Sequence, residues 1–517
     1  MTSQTSLTKS DGSLKEHMSV VICGHVDAGK STTTGRLLYE LGGISERDME
    51  KLKKLAEDMG KGSFCFAFFM DKDKAERERG ITINCTTKEF FTDDYHYTII
   101  DAPGHRDFLK NMLSGASQAD VGVILVPADG GFEIAIQEGD HKQEEVQGQT
   151  RQHALLLNLL GVKQLVVAVN KMDEAIAGYS QARFENIRDE MKHMLKGVGW
   201  KADFVENCVP IVPISGWVGD NLKEKSANMP WWNGVDVKTC DGTKTVHVTT
   251  LLDALNNYAI VPKRILDAPA RGPLNGVYNI KGVGTVLTSR IEQGSFKPGE
   301  DVVFLPTHDE KNPCTGRIFS IEMHHKPVEI ANPGDNVGFS IKGLNKDYMP
   351  KVGDVMIKKS DLTLKRVESF TCQVQILDPP NELKPGYTPI VCVRTEHAPC
   401  RISKINWRIN KDTGKDDKGR PIKQENPVAI KAGDHAELEF VPQLPFVVDT
   451  FTVCEGLARI SILEGASAQM LGKVTKICFD KVEDTTKVEK PSQQQGAKKE
   501  ASAAKPKAPV ATPAAKK

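Results

Sequence analysis

The segment GHVDAGKS, residues 24–31, limits the possible folds of this 517-residue chain more than any other feature. It matches the pattern GxxxxGK[ST] and lies between a predicted strand, 19–23, and a predicted helix, 30–41. In such a loop the glycines let backbone N–H groups face a phosphate, while the lysine supplies a cation and the serine hydroxyl reaches a phosphate-bound Mg²⁺. We therefore predict phosphate contacts from Gly24, His25, Val26, Asp27, Ala28, Gly29, Lys30 and Ser31.

Short apolar runs alternate with helical patterns between residues 18 and 262. The predicted strands are 19–23, 97–101, 121–127, 164–170 and 211–214, and the helical patterns include 30–41, 148–160 and 180–197. Alternation of this kind is typical of an α/β domain with a mainly parallel sheet and helices on both faces. The phosphate loop therefore belongs to such a domain, which we place at 18–262.

The alternation of strand and helix patterns ends at a linker-like stretch, residues 262–273. Short Val, Ile and Phe runs punctuated by Gly and Pro predict two all-β domains, barrels or sandwiches, at 263–366 and 367–480. The polar residues 1–17 and the Lys/Ala/Pro-rich residues 481–517 are predicted to be disordered, the latter as a basic tail. No apolar stretch approaches the ~18–20 residues that cross a bilayer. The eleven scattered cysteines, without a CxxC pair, indicate reduced thiols and a cytoplasmic protein.

Asp101, Ala102, Pro103 and Gly104 form a DxxG segment that directly follows the predicted strand 97–101. In phosphate-loop hydrolases an Asp at this position holds Mg²⁺ through water, and the Gly N–H can contact a γ-phosphate. His105 comes next, and we expect it to position the attacking water. The sequence offers no arginine finger within the chain, so slow intrinsic hydrolysis triggered by a partner is expected.

The segment NKMD, made of Asn170, Lys171, Met172 and Asp173, follows the predicted strand 164–170. The Asp173 carboxylate can accept hydrogen bonds from guanine N1–H and N2–H₂ together, whereas adenine presents an acceptor at N1. Ser215 and Gly216 follow the strand 211–214 and are placed for a backbone contact to the guanine oxygen. The predicted ligand is therefore GTP.

The run KDKAERERGITI, residues 72–83, separates the phosphate loop from Asp101. A charged run normally forms a solvated helix face, and residues 76–79 fit that interpretation as well as a functional one. Thr82 differs, because a hydroxyl after a glycine hinge suits a switch that ligates Mg²⁺ only when a γ-phosphate is bound.

Taken together, GHVDAGKSTTTGRL, DAPGHRDFLKNM, NKMD, PISGW, IEMHH and PGDNVGF resemble the translation-factor GTPases, and among them the eukaryotic elongation factor 1-alpha group with its elongation factor-like relatives. The resemblance covers about 18–480. It implies a GTP-binding domain, two β-barrels and delivery of aminoacyl-tRNA to the ribosomal A site. It also implies that the ribosome triggers hydrolysis by docking His105 against the water.

The resemblance extends the site residue by residue. It adds Thr32 and Trp217 to the GTP/GDP site and assigns Mg²⁺ to Ser31 and Thr82, with Asp101 acting through water. It maps tRNA contacts to Lys110 and Asn111 near the 5′ end, and to Glu322, His324 and Asn336 around the terminal adenosine and aminoacyl ester. It implies the ribosome and a guanine-nucleotide exchange factor of open identity as partners, and we expect a monomer that binds no membrane.

Two alternatives remain open from the sequence. One is a termination or ribosome-rescue GTPase that carries a release-factor-like protein, although such relatives generally have long N-terminal extensions. The other is a cytoskeletal, actin-binding scaffold. The chain departs from the family at 137–147, 239–250 and 306–313. Its net charge of zero, from 68 basic and 68 acidic residues, does not exclude RNA, because basic residues concentrate in the first barrel and the tail.

Overall fold

The computed structural model describes residues 15–71, 73–116, 118–138, 148–282, 284–323, 326–377, 381–410, 414, 422–464 and 467–479. Over these residues an α/β domain is followed by two closed β-barrels, so the predicted fold class is confirmed. Most of the predicted N-terminal tail, the C-terminal tail and most of the 137–147 segment lie outside the described residues.

The sheet of the first domain has the strand order β2-β3-β1-β4-β5-β6. Its strands are β1 (Glu16–Gly24), β2 (Thr86–Phe91), β3 (Tyr95–Asp101), β4 (Val121–Pro127), β5 (Gln164–Asn170) and β6 (Ile211–Pro213). All neighbours pair in parallel except β2 and β3. β4 and β5 are buried along their whole length, as parallel strands covered on both faces must be. β1 begins at Glu16, two residues before the predicted start of the domain.

The carboxyl ends of the parallel strands meet at one edge of this sheet. Ile22 of β1 lies opposite Asp101 of β3, and Pro127 of β4 lies opposite Asn170 of β5. Loops that follow these strand ends therefore converge, which is the usual position of a ligand site in an open α/β sheet.

Three predicted helices are confirmed within a residue, whereas α2 and α3, between α1 and β2, were not predicted. The helices are α1 (Lys30–Glu40), α2 (Glu46–Asp58), α3 (Ala67–Met70), α4 (Lys74–Arg79), α5 (Leu109–Ala116), α6 (Phe132–Ile136), α7 (Gln149–Leu160), α8 (Gln181–Gly197), α9 (Ala202–Asn207) and α10 (Leu251–Asp253). β7 (Val235–Lys238) and β8 (Thr245–Val248) form a hairpin, whose turn and second strand lie in the divergent 239–250 region. α2 escaped prediction because it buries only Met49 and Ala56 fully and nine of its thirteen residues are charged.

The second domain is a six-stranded barrel, closed by a pairing between β11 and β12. Its strands are β9 (Gly272–Ile280), β10 (Gly284–Arg290), β11 (Asp301–Leu305), β12 (Thr315–Met323), β14 (Asn336–Lys342) and β15 (Val355–Lys358), with the short β13 (Lys326–Pro327) added on β12. Alternate residues such as Leu287 and Phe339 face a core that includes Phe296.

The third domain is also a six-stranded barrel, closed by a pairing between β17 and β18. Its elements are β16 (Ser369–Ile376), β17 (Ile390–Val393), β18 (Glu396–Ile409), β19 (Gln424–Glu425), β20 (His435–Pro442), α11 (Glu455–Ala458), β21 (Arg459–Glu464) and β22 (Ser467–Cys478). Closure settles the choice between barrels and sandwiches for both domains, because it leaves no free edge in the ring.

The eleven cysteines all lie within the described residues, and none of them forms a disulfide there. Across the described ranges, no helix combines the length and the apolar composition needed to span a bilayer.

A buried ion network joins the first domain to the first barrel. Asp120, just before β4, accepts hydrogen bonds from Arg264 in the linker at 3.0 and 2.8 Å and from Arg290 of β10 at 2.8 Å. Although burial raises it, these two guanidinium groups hold the pKa of Asp120 well below its usual range. Asp120 also accepts from the Ser19 N–H at 3.0 Å, so the contact extends to β1.

Asp120→Asn is expected to lower the free energy of unfolding by about 3–5 kcal/mol, because it leaves the buried Arg290 and the partly buried Arg264 without the carboxylate that they share. Urea denaturation followed by circular dichroism measures the change. Glu206→Gln is the matched control, since Glu206 forms an exposed pair with Lys192 and Lys196 and should cost less than about 1 kcal/mol. Equal effects of the two changes would contradict a supporting role for the Asp120 network.

Candidate nucleotide-binding site

The phosphate loop connects β1 to α1 through two left-handed residues, Asp27 at φ 60° and Gly29 at φ 83°. A Cβ on Gly29 would lie 2.4 Å from Asn170 Nδ2, so this position requires glycine for space as well as for conformation. Lys30 is buried and its Nζ donates to the His25 carbonyl at 2.8 Å, across the mouth of the loop. The loop therefore has a preformed concave backbone with a cation at its centre.

Three side chains of α7 hold the first half of the phosphate loop. The N–H groups of Gly24, His25 and Val26 donate to His153 Nδ1 at 3.1 Å, Thr150 Oγ1 at 3.3 Å and Gln149 Oε1 at 3.0 Å, respectively. Burial lowers the pKa of His153 to about 3, so the ring is neutral and can accept. These residues were not predicted, and their only signal in the sequence is a set of polar side chains on one face of a predicted helix.

Ser31, Thr82 and Asp101 come together beside the loop. The Ser31 and Thr82 hydroxyls are 3.1 Å apart. Both carboxylate oxygens of Asp101 are buried and have no hydrogen-bond partner within the described part of the chain. Burial raises the pKa of Asp101 to about 6, a shift that the nearby Ser31 and Lys30 limit. Two hydroxyls and a bare carboxylate are the hard oxygen ligands that Mg²⁺ prefers, so these residues fit the predicted ion.

The interpretation of residues 76–79 as a solvated helix face is wrong for Glu76, which is buried. These residues form the end of α4, and the Glu76 Oε1 accepts from the N–H groups of Ile83 and Asn84 at 3.0 and 3.1 Å. These bonds fix the backbone just after Thr82. Asp71, also missed, accepts from the Thr82 hydroxyl at 3.2 Å, and burial raises its pKa to about 7. The charged run and Asp71, which precedes it, thus contain the support for the Thr82 position.

Gly104 approaches the phosphate loop closely. A Cβ there would lie 2.4 Å from Lys30 Nζ and 3.0 Å from the Val26 nitrogen, so a larger residue would crowd Lys30 and the backbone of the phosphate loop. His105 follows with its side chain 36% exposed, and its Nδ1 accepts from the Asp107 N–H at 3.2 Å. With Nδ1 used in this way, Nε2 carries the ring proton and is free to donate to a water.

Asn170 connects the loops that were predicted to recognise the base. Its Nδ2 donates to the Ala28 carbonyl at 2.8 Å, and its Oδ1 accepts from the Gly216 N–H at 2.7 Å. Asn170 therefore supports the other loops, whereas Asp173 faces the cavity. Trp217, 44% exposed, packs edge-on against Phe66 with ring centroids 5.9 Å apart.

The predicted residues surround one cavity of about 560 Å³. Every predicted nucleotide segment except the Ser215–Gly216 pair contributes to the lining of this cavity. The predicted residues that line it are Val26, Asp27, Gly29, Lys30, Ser31, Thr32, Thr82, Gly104, His105, Asn170, Lys171, Asp173 and Trp217. Met172, Ser215 and Gly216 are buried behind this wall. Most of the predicted nucleotide segments thus meet at one cavity, whereas the predicted residues Gly24, His25, Ala28, Asp101, Ala102 and Pro103 are not among its lining residues.

The residues predicted to contact tRNA are more dispersed. Asn111, on α5, donates to the Ile83 carbonyl at 2.8 Å, next to the Thr82 segment, and Lys110 precedes it on the same helix. Glu322 is exposed on β12. Asn336 begins β14 and donates to Ser19 Oγ at 3.3 Å, at the contact between the first domain and the first barrel. His324 lies outside the described residues.

A phosphate loop at the head of a mainly parallel sheet, with a guanine-type segment at the neighbouring strand end, defines a GTP-binding GTPase. Protein-family models match all three domains of the chain and agree with this class. Residues 15–261 match the Elongation factor Tu GTP binding domain, 284–357 match Elongation factor Tu domain 2, and 369–475 match the GTP-eEF1A C-terminal domain-like family. The chain belongs to the elongation factor 1-alpha family of translation GTPases.

Similar proteins cover nearly the whole chain. Elongation factor 1-alpha of Onchocerca volvulus is 42% identical over 487 residues, 94% of this chain and 98% of that protein. The Plasmodium falciparum protein of the same name is 44% identical over 467 residues, 90% of this chain and 96% of that protein.

Two solved structures share the fold at lower identity. The GTP-bound GTPase-like domain of S. cerevisiae Ski7 is 19% identical with a TM-score of 0.68, covering 89% of this chain and 97% of that one. SelB of Methanococcus maripaludis, in complex with a GTP analogue, is 20% identical with a TM-score of 0.58, covering 90% and 80%. These likenesses support the domain arrangement alone.

Proposed function

We propose that this GTPase carries aminoacyl-tRNA to the ribosomal A site and hydrolyses GTP when the ribosome triggers it. The observation that carries the proposal is the complete switch at the cavity, where Thr82 reaches Ser31 and His105 follows the closely packed Gly104. A protein that only bound GTP as a structural element would need neither a hydroxyl poised at the metal position nor an exposed histidine beside it.

The phosphate-binding residues have separate roles in this proposal. Lys30 and the N–H groups in the second half of the loop would hold the phosphates, because those of Gly24, His25 and Val26 donate to α7. Ser31 and Thr82 would ligate Mg²⁺, with Asp101 acting through water. When bound, Mg²⁺ would neutralise charge on the β- and γ-phosphates. Glu76 and Asp71 hold the Thr82 segment. A movement of Thr82 on loss of the γ-phosphate would therefore be transmitted to α4 and the residues around it.

His105 would act through the Nε2–H, which can orient a water for attack on the γ-phosphate. No arginine is found among the described residues that line the cavity. The charge that develops in the transition state therefore has less stabilisation than in GTPases with an arginine finger, and intrinsic hydrolysis should be slow. Dependence on an external trigger is what a carrier needs, because hydrolysis before arrival at the ribosome would release the tRNA early.

The tRNA would bind across the first domain and the first barrel. Asn111 is tied to the Thr82 segment through Ile83, so a ligand at Lys110 and Asn111 would sense the state of that segment. Glu322, His324 and Asn336 are proposed to receive the aminoacylated end. In this role the protein would work in the cytoplasm as a monomer and would be reloaded with GTP by an exchange factor.

Protection of the aminoacyl ester tests this proposal directly. The GTP-loaded protein should slow spontaneous deacylation of aminoacyl-tRNA by at least about tenfold, because a bound ester is shielded from water. The GDP-loaded protein is the matched control and should protect weakly. Equal deacylation with GTP, GDP and no protein would overturn delivery and favour a factor that carries a protein to the ribosome.

A further inference from the structure

Each of the two segments expected to contact guanine forms a closed loop. The first runs from Met172 to Tyr179, where the Tyr179 N–H donates to the Met172 carbonyl at 2.8 Å, with Asp173 just inside the closure. The second runs from Ser215 to Asp220, where the Ser215 N–H donates to the Asp220 carbonyl at 3.1 Å. Tyr179 and Asp220 are thus the closing residues of their loops.

One hydrogen bond joins these two closing residues. The Tyr179 hydroxyl donates to Asp220 Oδ2 at 2.9 Å. Asp220 is buried, and its Oδ1 accepts from Ser226 Oγ at 2.6 Å and from Asn228 Nδ2 at 3.2 Å. The carboxylate is therefore held in place independently of Tyr179.

Tyr179 is held just as firmly at its backbone. It has a φ of 54°, in the left-handed region that non-glycine residues rarely adopt, and the Trp231 indole N–H donates to its carbonyl at 2.8 Å. Such a conformation persists only where surrounding contacts impose it. Burial, the hydrogen bond to Asp220 and the Asp173 charge hold the pKa of Tyr179 well above its usual range, so the hydroxyl donates at neutral pH.

We propose that Tyr179 and Asp220 are positioning residues for guanine specificity, which set the distance between the Asp173 carboxylate and the backbone of the 215–217 loop. The inference rests on the proposed assignment of Asp173 to the base. A guanine must satisfy both loops at once, with N1–H and N2–H₂ on one side and its oxygen on the other. A cross-link between the loops selects the base that fits this spacing, because recognition by hydrogen bonds fails over a few tenths of an ångström.

Tyr179→Phe tests the inference, because it removes only the hydroxyl. We expect GDP affinity to fall by roughly tenfold, the effect of losing a hydrogen bond to a charged group. We also expect the preference for GTP over ITP to fall by at least about threefold, since ITP lacks the N2 amino group that depends on the placement of Asp173. Displacement of a fluorescent GDP analogue by GTP and by ITP measures both quantities.

Tyr97→Phe is the matched control, since it removes a buried hydroxyl that donates to the Leu255 carbonyl at 2.8 Å in the same domain. It should leave the GTP-to-ITP preference unchanged. An equal loss of GTP and ITP affinity in Tyr179→Phe would show a purely structural role and overturn the inference, as would an unchanged GDP affinity.

Asp220→Asn provides a second variant that keeps the shape of the side chain. It should lower the GTP-to-ITP preference in the same direction, and adding Tyr179→Phe to it should cause little further change, because both remove one interaction. Additive losses would contradict the cross-link. The guanine assignment fails separately if Asp173→Asn leaves base preference unaltered, whatever the result with Tyr179.

Discussion

Replacing His105 with alanine is expected to reduce ribosome-stimulated GTP hydrolysis by about 10²–10⁴-fold, the range for removal of a positioned proton-transfer or water-orienting group. Nucleotide affinity should change little. The ring contacts the Asp107 N–H and packs near Phe108, with centroids 5.8 Å apart, so its removal disturbs neither the phosphate loop nor the Thr82 segment.

Single-turnover hydrolysis of γ-labelled GTP, with and without ribosomes and aminoacyl-tRNA, measures this effect. Asp107→Ala is the matched control, because Asp107 is exposed and its side chain approaches the same ring from outside the cavity. Its backbone N–H, which donates to His105, remains. Stimulated rates in His105→Ala equal to those of the unmodified protein would remove this residue from the proposed mechanism.

Asp173→Asn is expected to weaken GTP by about 10²-fold or more and to improve binding of xanthosine triphosphate. The carboxylate would lose two charge-assisted hydrogen bonds to guanine N1–H and N2–H₂, each worth ~1.5–3 kcal/mol. The amide can instead donate to the additional carbonyl of xanthine. Because Asp173 is only half-buried at the cavity wall, the substitution should cost little folding stability.

Competition between the two triphosphates for the same protein sample measures the change in preference. Glu174→Gln is the matched control, since Glu174 is the adjacent carboxylate, is exposed and also lines the cavity. It should leave the preference for GTP intact. A preference that is unchanged in Asp173→Asn would refute the guanine assignment, and an equal shift in Glu174→Gln would attribute the effect to general charge.

Local sequence patterns predicted much of the first domain. β4 and β5 occur at the predicted residues, since continuous apolar runs bounded by polar residues leave little freedom in where a buried parallel strand begins and ends. α2 and the β7–β8 hairpin escaped prediction, because α2 is largely charged and each strand of the hairpin is only four residues long. Local patterns could not predict closure of the barrels either. Closure depends on pairing between strands that are far apart in the sequence, and the sequence of one strand does not specify its register with another.

The functional residues divide in the same way. Lys30, Asp101 and Asp173 could be found from the sequence alone, because their spacing from a strand end expresses the chemistry of phosphate, metal and base. Glu76 lies in a charged run typical of a solvated face but is buried. Gln149, His153 and Asp220 carry no motif, because their roles consist of contacts with backbone groups or, for Asp220, a side-chain hydroxyl that folding brings close. The sequence by itself determined which chemistry the chain performs. Only the tertiary structure decided how the loops that perform it are held, because hydrogen bonds across more than a hundred residues arise from packing and not from local order.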